Sequence, residues 1–517
     1  MPTYQSPGVY VEEVAAGARP LAGVGTAVAA FVGLAESGPF NRPTLVSNWT
    51  QFTTTFGGFL AGSYLAQSVY GYFMNGGGNC YVVRIGEEPG AAEQARPSRT
   101  KALPGAPAAQ LGRLRVASID PGVQPGELTV EIADAGGDSP SEDMFRLVVK
   151  RNGEVAEEFD RATLARGKQN VVTMVNAASK LVNVEEATPG PVERPANTQT
   201  TLVAPPAPAA AAPARLSADD YVGDVAERTG FAALEAIEEV TMLCVPDLMS
   251  AYQQGSIDLD SVQAVQTAMI AHCELMGDRI AILDPPPGFN AQQIKEWGVD
   301  KARYDSMYAV LNWPWIQTMN PLTGSLGYLP PSGHIAGIWA RNDAERGVHK
   351  APANEVVRGV IDIEINITRN EHDLLNPEGI NCIRAFAGRG IRLWGARTLS
   401  SDPAWRYLNV RRLFNYLEES ILNGTNWVVF EPNDEALWAK IRRTIAAFLV
   451  QEWRAGALFG STPDEAFYVK CDAETNPSES IDAGQVVCEI GVAPVKPAEF
   501  VIFRLAQFSG GTSLVSE

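Results

Sequence analysis

Two stretches without periodic apolar residues interrupt this 517-residue chain and forbid one continuous core. Residues 86–110 (GEEPGAAEQARPSRTKALPGAPAAQ) and 185–215 (EEATPGPVERPANTQTTLVAPPAPAAAAPAR) are rich in Pro, Ala and Gly, the composition of extended linkers. Between them LRVAS, ELTVEIAD and MFRLVVKRNGEVAEEF alternate at period two, Asn152 and Gly153 supply a hairpin turn, and VVTMVNAASKLV has helical spacing. A small α/β module over residues 111–184 is therefore expected to stand off the main body.

The body reads as α/β. TAVAAFVGLA is a buried strand, TGFAALEAIEEV a helix, VTMLCVPDL a buried strand, DSVQAVQTAMIAHCELM an amphipathic helix and DRIAILDPPPG a strand closed by prolines. Such alternation favours a sheet covered by helices. NEVVRGVIDIEINIT is strand-rich. Two long helices follow, PAWRYLNVRRLFNYLEESILNG, with Asn423 and Gly424 at its end, and NDEALWAKIRRTIAAFLVQEWRAGAL, which opens on an acidic N-cap. EAFYVKCD and AGQVVCEIGVAPV are strands.

Both ends carry a strand with no neighbour in sequence. Near the start, SPGVYVEEV fences Val9, Tyr10, Val11, Glu12, Glu13 and Val14 between Pro7-Gly8 and an Ala/Gly segment containing Gly17. Near the end, EFVIFRLAQF is apolar on both faces after Glu499, with Arg504 the one charge among Phe500, Val501, Ile502, Phe503 and Leu505. Strands on arms suit pairing with another molecule's sheet edge, where main-chain hydrogen bonds supply affinity. The alternative is that both arms fold back onto their own body.

Charge narrows the partners. Sixty Asp and Glu against 41 Lys and Arg leave the chain at −19, which repels a phosphate backbone; neither nucleic acid nor an anionic membrane is an expected partner. The apolar run at residues 21–35 is too short and too glycine-rich to span a bilayer. The opening MPTYQSPG has no basic segment before an apolar core, so no secretory signal is expected. Six scattered cysteines without a CxxC read as free thiols.

Catalytic motifs are thin. No GxSxG, HExxH, GxxxxGK[ST] or GxGxxG occurs, and the four histidines (His272, His334, His349, His372) lack metal-type spacing. His334 lies near Ser332 and Asp343 in sequence, but a triad needs convergence in space. Asp362 and Glu364 share a strand face and read as its solvated side. Trp313 and Trp315, around Pro314, read as the anchor of a loop at a packing junction, against a sugar platform. Lys440, Arg442, Arg443 and Arg454 lie on one long helix of an acidic chain, either a solvated face or a contact for an acidic partner.

These segments also carry a resemblance. SPGVYVEEV, AAFVGLAESGP, TFGG, FMNGGGNCYVVRI, RTGFAALEAIEEVTMLCVPDL, DRIAILDPPPG, YAVLNWPWI, PPSGHIAGIWARNDAERGVHKAPANE, LNPEGINCIRAFAGRGIRLWGARTLS and YLNVRRLFNYLEESI, in this order, resemble the tail sheath protein of contractile phages and related contractile injection systems, over roughly residues 6–85 and 216–508. The resemblance implies a mixed α/β multidomain fold. It implies an exchange arm at residues 1–25, a middle domain at 26–85 and 216–369, an outer inserted module at 86–215, an inner domain at 370–498 and an exchange strand with tail at 499–517. It further implies a structural subunit, neither an enzyme nor a cofactor binder, that polymerises helically by strand exchange around an inner tube protein. Baseplate and cap proteins would bound the polymer, assembled in a bacterial cytoplasm, and contraction from a metastable extended state would drive the tube. Residues 9–14 and 500–505 would be the donated strands, Gly17, Gly23 and Gly25 the hinge, and Lys440, Arg442, Arg443 and Arg454 tube-facing. A particle-surface adhesin or carbohydrate-binding protein built on residues 111–184 is the alternative.

Overall fold

Short apolar runs form the parallel centre of a nine-stranded sheet. In a computed structural model, which describes residues 21–86, 108–111, 114–119, 127–136, 143–165, 167, 169–186, 194–202, 216–320 and 323–505, its order is Glu355–Val356, Gly390–Leu393, Ile380–Phe386, Ala309–Trp313, Ile280–Leu283, Met242–Cys244, Ala29–Gly33, Cys80–Arg84 and Thr44–Val46. The six strands from Ile380–Phe386 to Cys80–Arg84 run parallel, and each outer strand pairs antiparallel with its inner neighbour. Ala29–Gly33, Met242–Cys244, Ile280–Leu283 and Ala309–Trp313 are buried along their whole length, as strands covered on both faces must be. The sheet continues through Ile380–Phe386 and Gly390–Leu393, past the boundary read at residue 370. TGFAALEAIEEV, read as a helix, forms only a 3-10 turn, Phe231–Ala236.

Helices Leu65–Asn75 and Ser332–Arg346 approach so closely that a Cβ on Gly333 would meet the backbone of Ser68, and one on Gly337 the backbone of Tyr72. Trp313 and Trp315 are fully buried beside this layer, with indole N–H groups donating to the carbonyls of Phe289 (3.1 Å) and Pro285 (2.8 Å). They anchor the loop between Ala309–Trp313 and Ile316–Met319; no sugar face is available.

A second core of the same unit gathers helices Leu408–Thr425 and Glu435–Arg454 around Leu413, Leu417, Ile441, Ile445 and Phe448, with Leu21 among them. Asp434 caps the second helix by accepting from the Leu437 N–H at 2.8 Å. A two-stranded sheet, Phe467–Lys470 against Glu489–Val492, closes this core.

Residues 88–214 form a separate unit. It holds a four-stranded sheet (Thr198–Thr201, Leu128–Asp134, Phe145–Arg151, Glu154–Ala162), a three-stranded sheet (Ala108–Leu111, Leu114–Ser118, Val182–Glu186) and helix Val171–Ala178, with its own core. Asn152 (φ 52°) and Gly153 (φ 88°) turn the hairpin with both residues at positive φ, the turn that matches strand twist. Residues 108–110 of strand Ala108–Leu111 and the whole of Thr198–Thr201 lie inside segments read as linkers. Their backbone pairing to Leu114–Ser118 and Leu128–Asp134 needs no apolar periodicity of its own.

Candidate assembly site

After strand Glu489–Val492 the chain is stitched to the body as far as Glu499 and then leaves it. The Ala493 N–H donates to the Ala466 carbonyl (2.8 Å), the Val495 N–H to Ala457 (3.3 Å), and Asn409 Nδ2 donates to the Val495 carbonyl (3.1 Å). Glu499 is the final anchor: Arg397 donates from Nε to Oε1 (2.9 Å) and from Nη2 to Oε2 (2.6 Å), and Asn376 Nδ2 donates to Oε1 (2.8 Å). Burial works to raise this carboxyl, but the bonds from Arg397 and Asn376 outweigh it and hold it below the usual range. Immediately beyond, Phe500, Val501, Ile502, Phe503 and Leu505 all face solvent, Phe503 at 85% and Leu505 at 99% exposure. The strand read at EFVIFRLAQF is therefore not formed in the single chain through residue 505. Residues 506–508 of that run lie outside the described residues.

The other end is anchored on the same helix. Residues 9–14 and Gly17 lie outside the described residues. Leu21 packs on Gly424, the Val24 N–H donates to Ser420 Oγ (3.1 Å), and Arg412 donates to the Thr26 carbonyl (2.9 Å) while forking onto Asp343 (2.9 and 2.6 Å). Read backwards from Thr26, the chain runs along helix Leu408–Thr425 towards its C-terminal end, whereas Glu499 sits near Tyr407, at its N-terminal end. Neither Gly23 nor Gly25 has positive φ, so the freedom read into them is unused in this conformation. Gly23 is instead required by close approach, since a Cβ there would collide with the Tyr416 ring.

The two-stranded sheet packs on the same core as Leu21. Among the described residues neither of its outer edges carries a strand, and Tyr468 (60% exposed) and Phe459 stand in solvent beside it. On helix Glu435–Arg454, Arg442 donates to the Cys471 carbonyl and Lys440 Nζ sits 3.9 Å from the Trp427 ring centre. Arg443 and Arg454 are exposed and form no ion pair among the described residues.

The residues that could suggest chemistry are engaged structurally. Ser332 donates to Asp284 from its N–H (2.9 Å) and its hydroxyl (2.5 Å), while Asp343 is taken by Arg412 and by the Thr26 hydroxyl. His334 is buried against Gly71, with Nδ1 unpartnered, and burial pushes it down to about 4; no triad assembles. Glu364, read as solvated, is half-buried and accepts from the Gly288 N–H (2.9 Å); burial raises its pKa. In an open α/β sheet, ligands favour the crevice where strand order reverses, here between Ala29–Gly33 and Met242–Cys244. That place is filled by Asp247, which accepts from the N–H groups of Leu34 (2.6 Å), Tyr64 and Leu65 (3.0 Å) and from the Ser63 hydroxyl (2.9 Å). Among the described residues no group of three or more His, Cys, Asp or Glu could hold a metal ion, and no helix is long and apolar enough to cross a membrane.

Sequence reasoning missed Glu499, its partner Arg397, and a cavity of about 850 Å³ beside them. The cavity walls come from segments scattered between residues 346 and 501, and no local motif announces it.

Comparison places this geometry among known proteins. A model of the phage tail sheath protein central domain matches residues 215–399, and one of the phage tail sheath C-terminal domain matches residues 400–508, together more than half of the chain. The tail sheath protein of Vibrio phage KVP40 is 30% identical over 215 residues, 41% of this chain; the match spans 31% of the phage protein, so the chain covers less than two thirds of that relative. The tail sheath protein of Burkholderia phage BcepMu is 23% identical over 526 residues, 96% of this chain and 95% of that one. Among solved structures, the helical sheath of the anti-feeding prophage in its contracted state superimposes with a TM-score of 0.58 at 23% identity, covering 98% of this chain and 100% of that one.

Proposed function

The chain belongs to the phage tail sheath family, and from that premise we propose that it is the structural subunit of a contractile sleeve. Copies polymerise helically around an inner tube by exchanging terminal strands, bounded by baseplate and cap proteins, and assemble in a bacterial cytoplasm into a phage tail or tail-like particle. Contraction from an extended, metastable state then drives the tube through a target envelope. The inserted unit lies on the outside.

One observation carries the reading: five large apolar side chains, Phe500, Val501, Ile502, Phe503 and Leu505, stand in solvent directly after a firmly bound anchor. A six-residue strand gains about three cross-strand bonds at roughly 1 kcal/mol each. Covering the five side chains contributes up to roughly 10 kcal/mol, so burial, not the ladder, dominates the joint. The open edges of the two-stranded sheet supply a receptor of the right kind in another copy. Residues 9–14 act as the second donated strand, with the hinge at Gly17. Of the four helix cations, Arg443 and Arg454 are the ones free to face a tube.

Negative-stain microscopy of the purified chain tests this. Hollow cylinders are expected from the full chain and none from a chain ending at Glu499, nor from Val11→Pro, which removes a ladder donor. Normal sleeves from the truncated chain would overturn the proposal.

A further inference from the structure

The cavity beside Glu499 is built for anions. Six cationic side chains and only two carboxylates, Asp373 and Glu499, line it, in a chain whose overall charge is −19. Glu499 is spent on Arg397. Arg346, Arg369, Arg384 and Lys496 have no carboxylate partner among the described residues. Three buried polar atoms of lining residues, His372 Nε2, Arg384 Nε and Asn409 Oδ1, also lack a hydrogen-bond partner, although buried polar groups are normally satisfied. Trp394, Tyr407 and Val495 add apolar wall. Unpaired cations and apolar wall together fit a carboxylate-bearing strand.

Resting on the strand-exchange reading, we propose that this cavity receives the acidic pair Glu12 and Glu13 of a second copy's N-terminal strand. The chain's own copy is poorly placed to fill it. From Thr26 back to Leu21, which packs on Gly424, the described chain runs away from Asn409 on the cavity wall. Asn409 and Gly424 are about 22 Å apart along the helix at its rise of about 1.5 Å per residue. Glu13 lies eight positions before Leu21, a reach of about 26 Å as a strand, so turning back leaves almost no slack. A neighbouring copy has no such constraint. In a strand, Glu12 and Glu13 point to opposite faces, and single substitutions tell which one enters the cavity.

The test is charge exchange in the full chain. Arg369 and Lys496 are both exposed, so Arg369→Glu with Lys496→Glu leaves the core untouched, which an unchanged melting curve verifies. Sleeve yield, read by sedimentation and microscopy, is expected to fall about tenfold or more, and likewise for Glu12→Lys with Glu13→Lys. Combining all four substitutions is expected to restore most of it. Unchanged yield on reversing the cavity, or no rescue in the combined protein, would overturn the proposal. Deleting residues 1–20 separates the premise: sleeves formed without them would remove the exchange reading itself, whereas lost sleeves with insensitive charge variants would reject only the cavity. Stabilisation by inorganic phosphate that Arg369→Glu with Lys496→Glu abolishes, without rescue by charge exchange, would make this a small-anion site and defeat the arm assignment.

Discussion

Replacing Glu499 by Gln isolates the anchor of the C-terminal arm. The substitution keeps size and one acceptor but removes the charge that Arg397 grips with both Nε and Nη2, at 2.9 and 2.6 Å. Arg397 is 9% and Glu499 21% exposed, so the pair is mostly but not fully desolvated. Breaking a buried pair costs about 3–5 kcal/mol; residual exposure, and the bond Arg397 Nη1 keeps to the Asn376 carbonyl at 3.0 Å, bring the expected loss to about 2–3 kcal/mol. At 1.4 kcal/mol per factor of ten, local opening of the arm base should rise roughly 30- to 150-fold. The amides that report it are Ala493 and Val495, bonded to Ala466 and Ala457. Hydrogen exchange of a peptide spanning residues 493–499 should accelerate by that factor, while peptides from strand Ala309–Trp313 stay unchanged. The clamp also has a pH signature. Because Glu499 lies below its ordinary value in the fold, its contribution is complete above the unfolded carboxylate pKa and disappears as pH falls through the lower folded value. Wild-type exchange at 493–499 should therefore approach that of Glu499→Gln only in acid. Equal exchange of the two proteins at neutral pH would refute the reasoning.

Other consequences follow from the core. Gly337→Val drives a side chain into the backbone of Tyr72, which cannot yield as a side chain tip can. It should cost at least about 3 kcal/mol, visible as lost soluble protein or a lower urea midpoint. Asp284 is fully buried and pushed up to about 7 by desolvation; the fold keeps a proton that the unfolded chain releases. Stability should therefore fall as pH rises from about 4 to about 7, by up to roughly 4 kcal/mol from this group, and Asp284→Asn should flatten that slope in urea titrations, leaving the smaller part due to Asp247, raised to about 6. Replacing residues 88–214, a unit with its own core, by a Gly/Ser linker of about ten residues should leave the melting temperature of the rest unchanged.

How much of this was legible depended on whether the causes were local. Strands such as Ala29–Gly33 and Ile280–Leu283 announce themselves because burial on both faces demands an uninterrupted apolar run. The Asn152-Gly153 hairpin is legible because few residue pairs tolerate two positive φ angles. Helix Glu435–Arg454 starts where its acidic N-cap says it should. Thr198–Thr201 was missed because its stability comes from pairing with Leu128–Asp134, information held elsewhere in the chain. Glu364 was misread because alternation assigns a face but not what covers it; the Gly288 loop does that. The arm base was invisible for the same reason: Glu499 is an ordinary carboxylate until Arg397 and Asn376, 102 and 123 residues away, converge on it.

The two anchors differ in a way that bears on how a sleeve built from this chain could shorten. No residue separates Glu499 from Phe500, so the direction in which the C-terminal strand departs is fixed by the bidentate grip on Arg397. At the other end, six residues, 15–20, lie between the segment proposed as a donated strand and Leu21, a span of up to about 21 Å. Leu21 itself is held, and the path from it to Thr26 is tied down by Ser420 and by the buried Arg412–Asp343 pair. The bodies resist deformation, since helices Leu65–Asn75 and Ser332–Arg346 touch backbone to backbone and the sheet centre is buried throughout. Rotation of one body against the next must then be absorbed where the chain has length to spare. On the exchange reading that is residues 15–20, with the C-terminal joint acting as the rigid arm of each link.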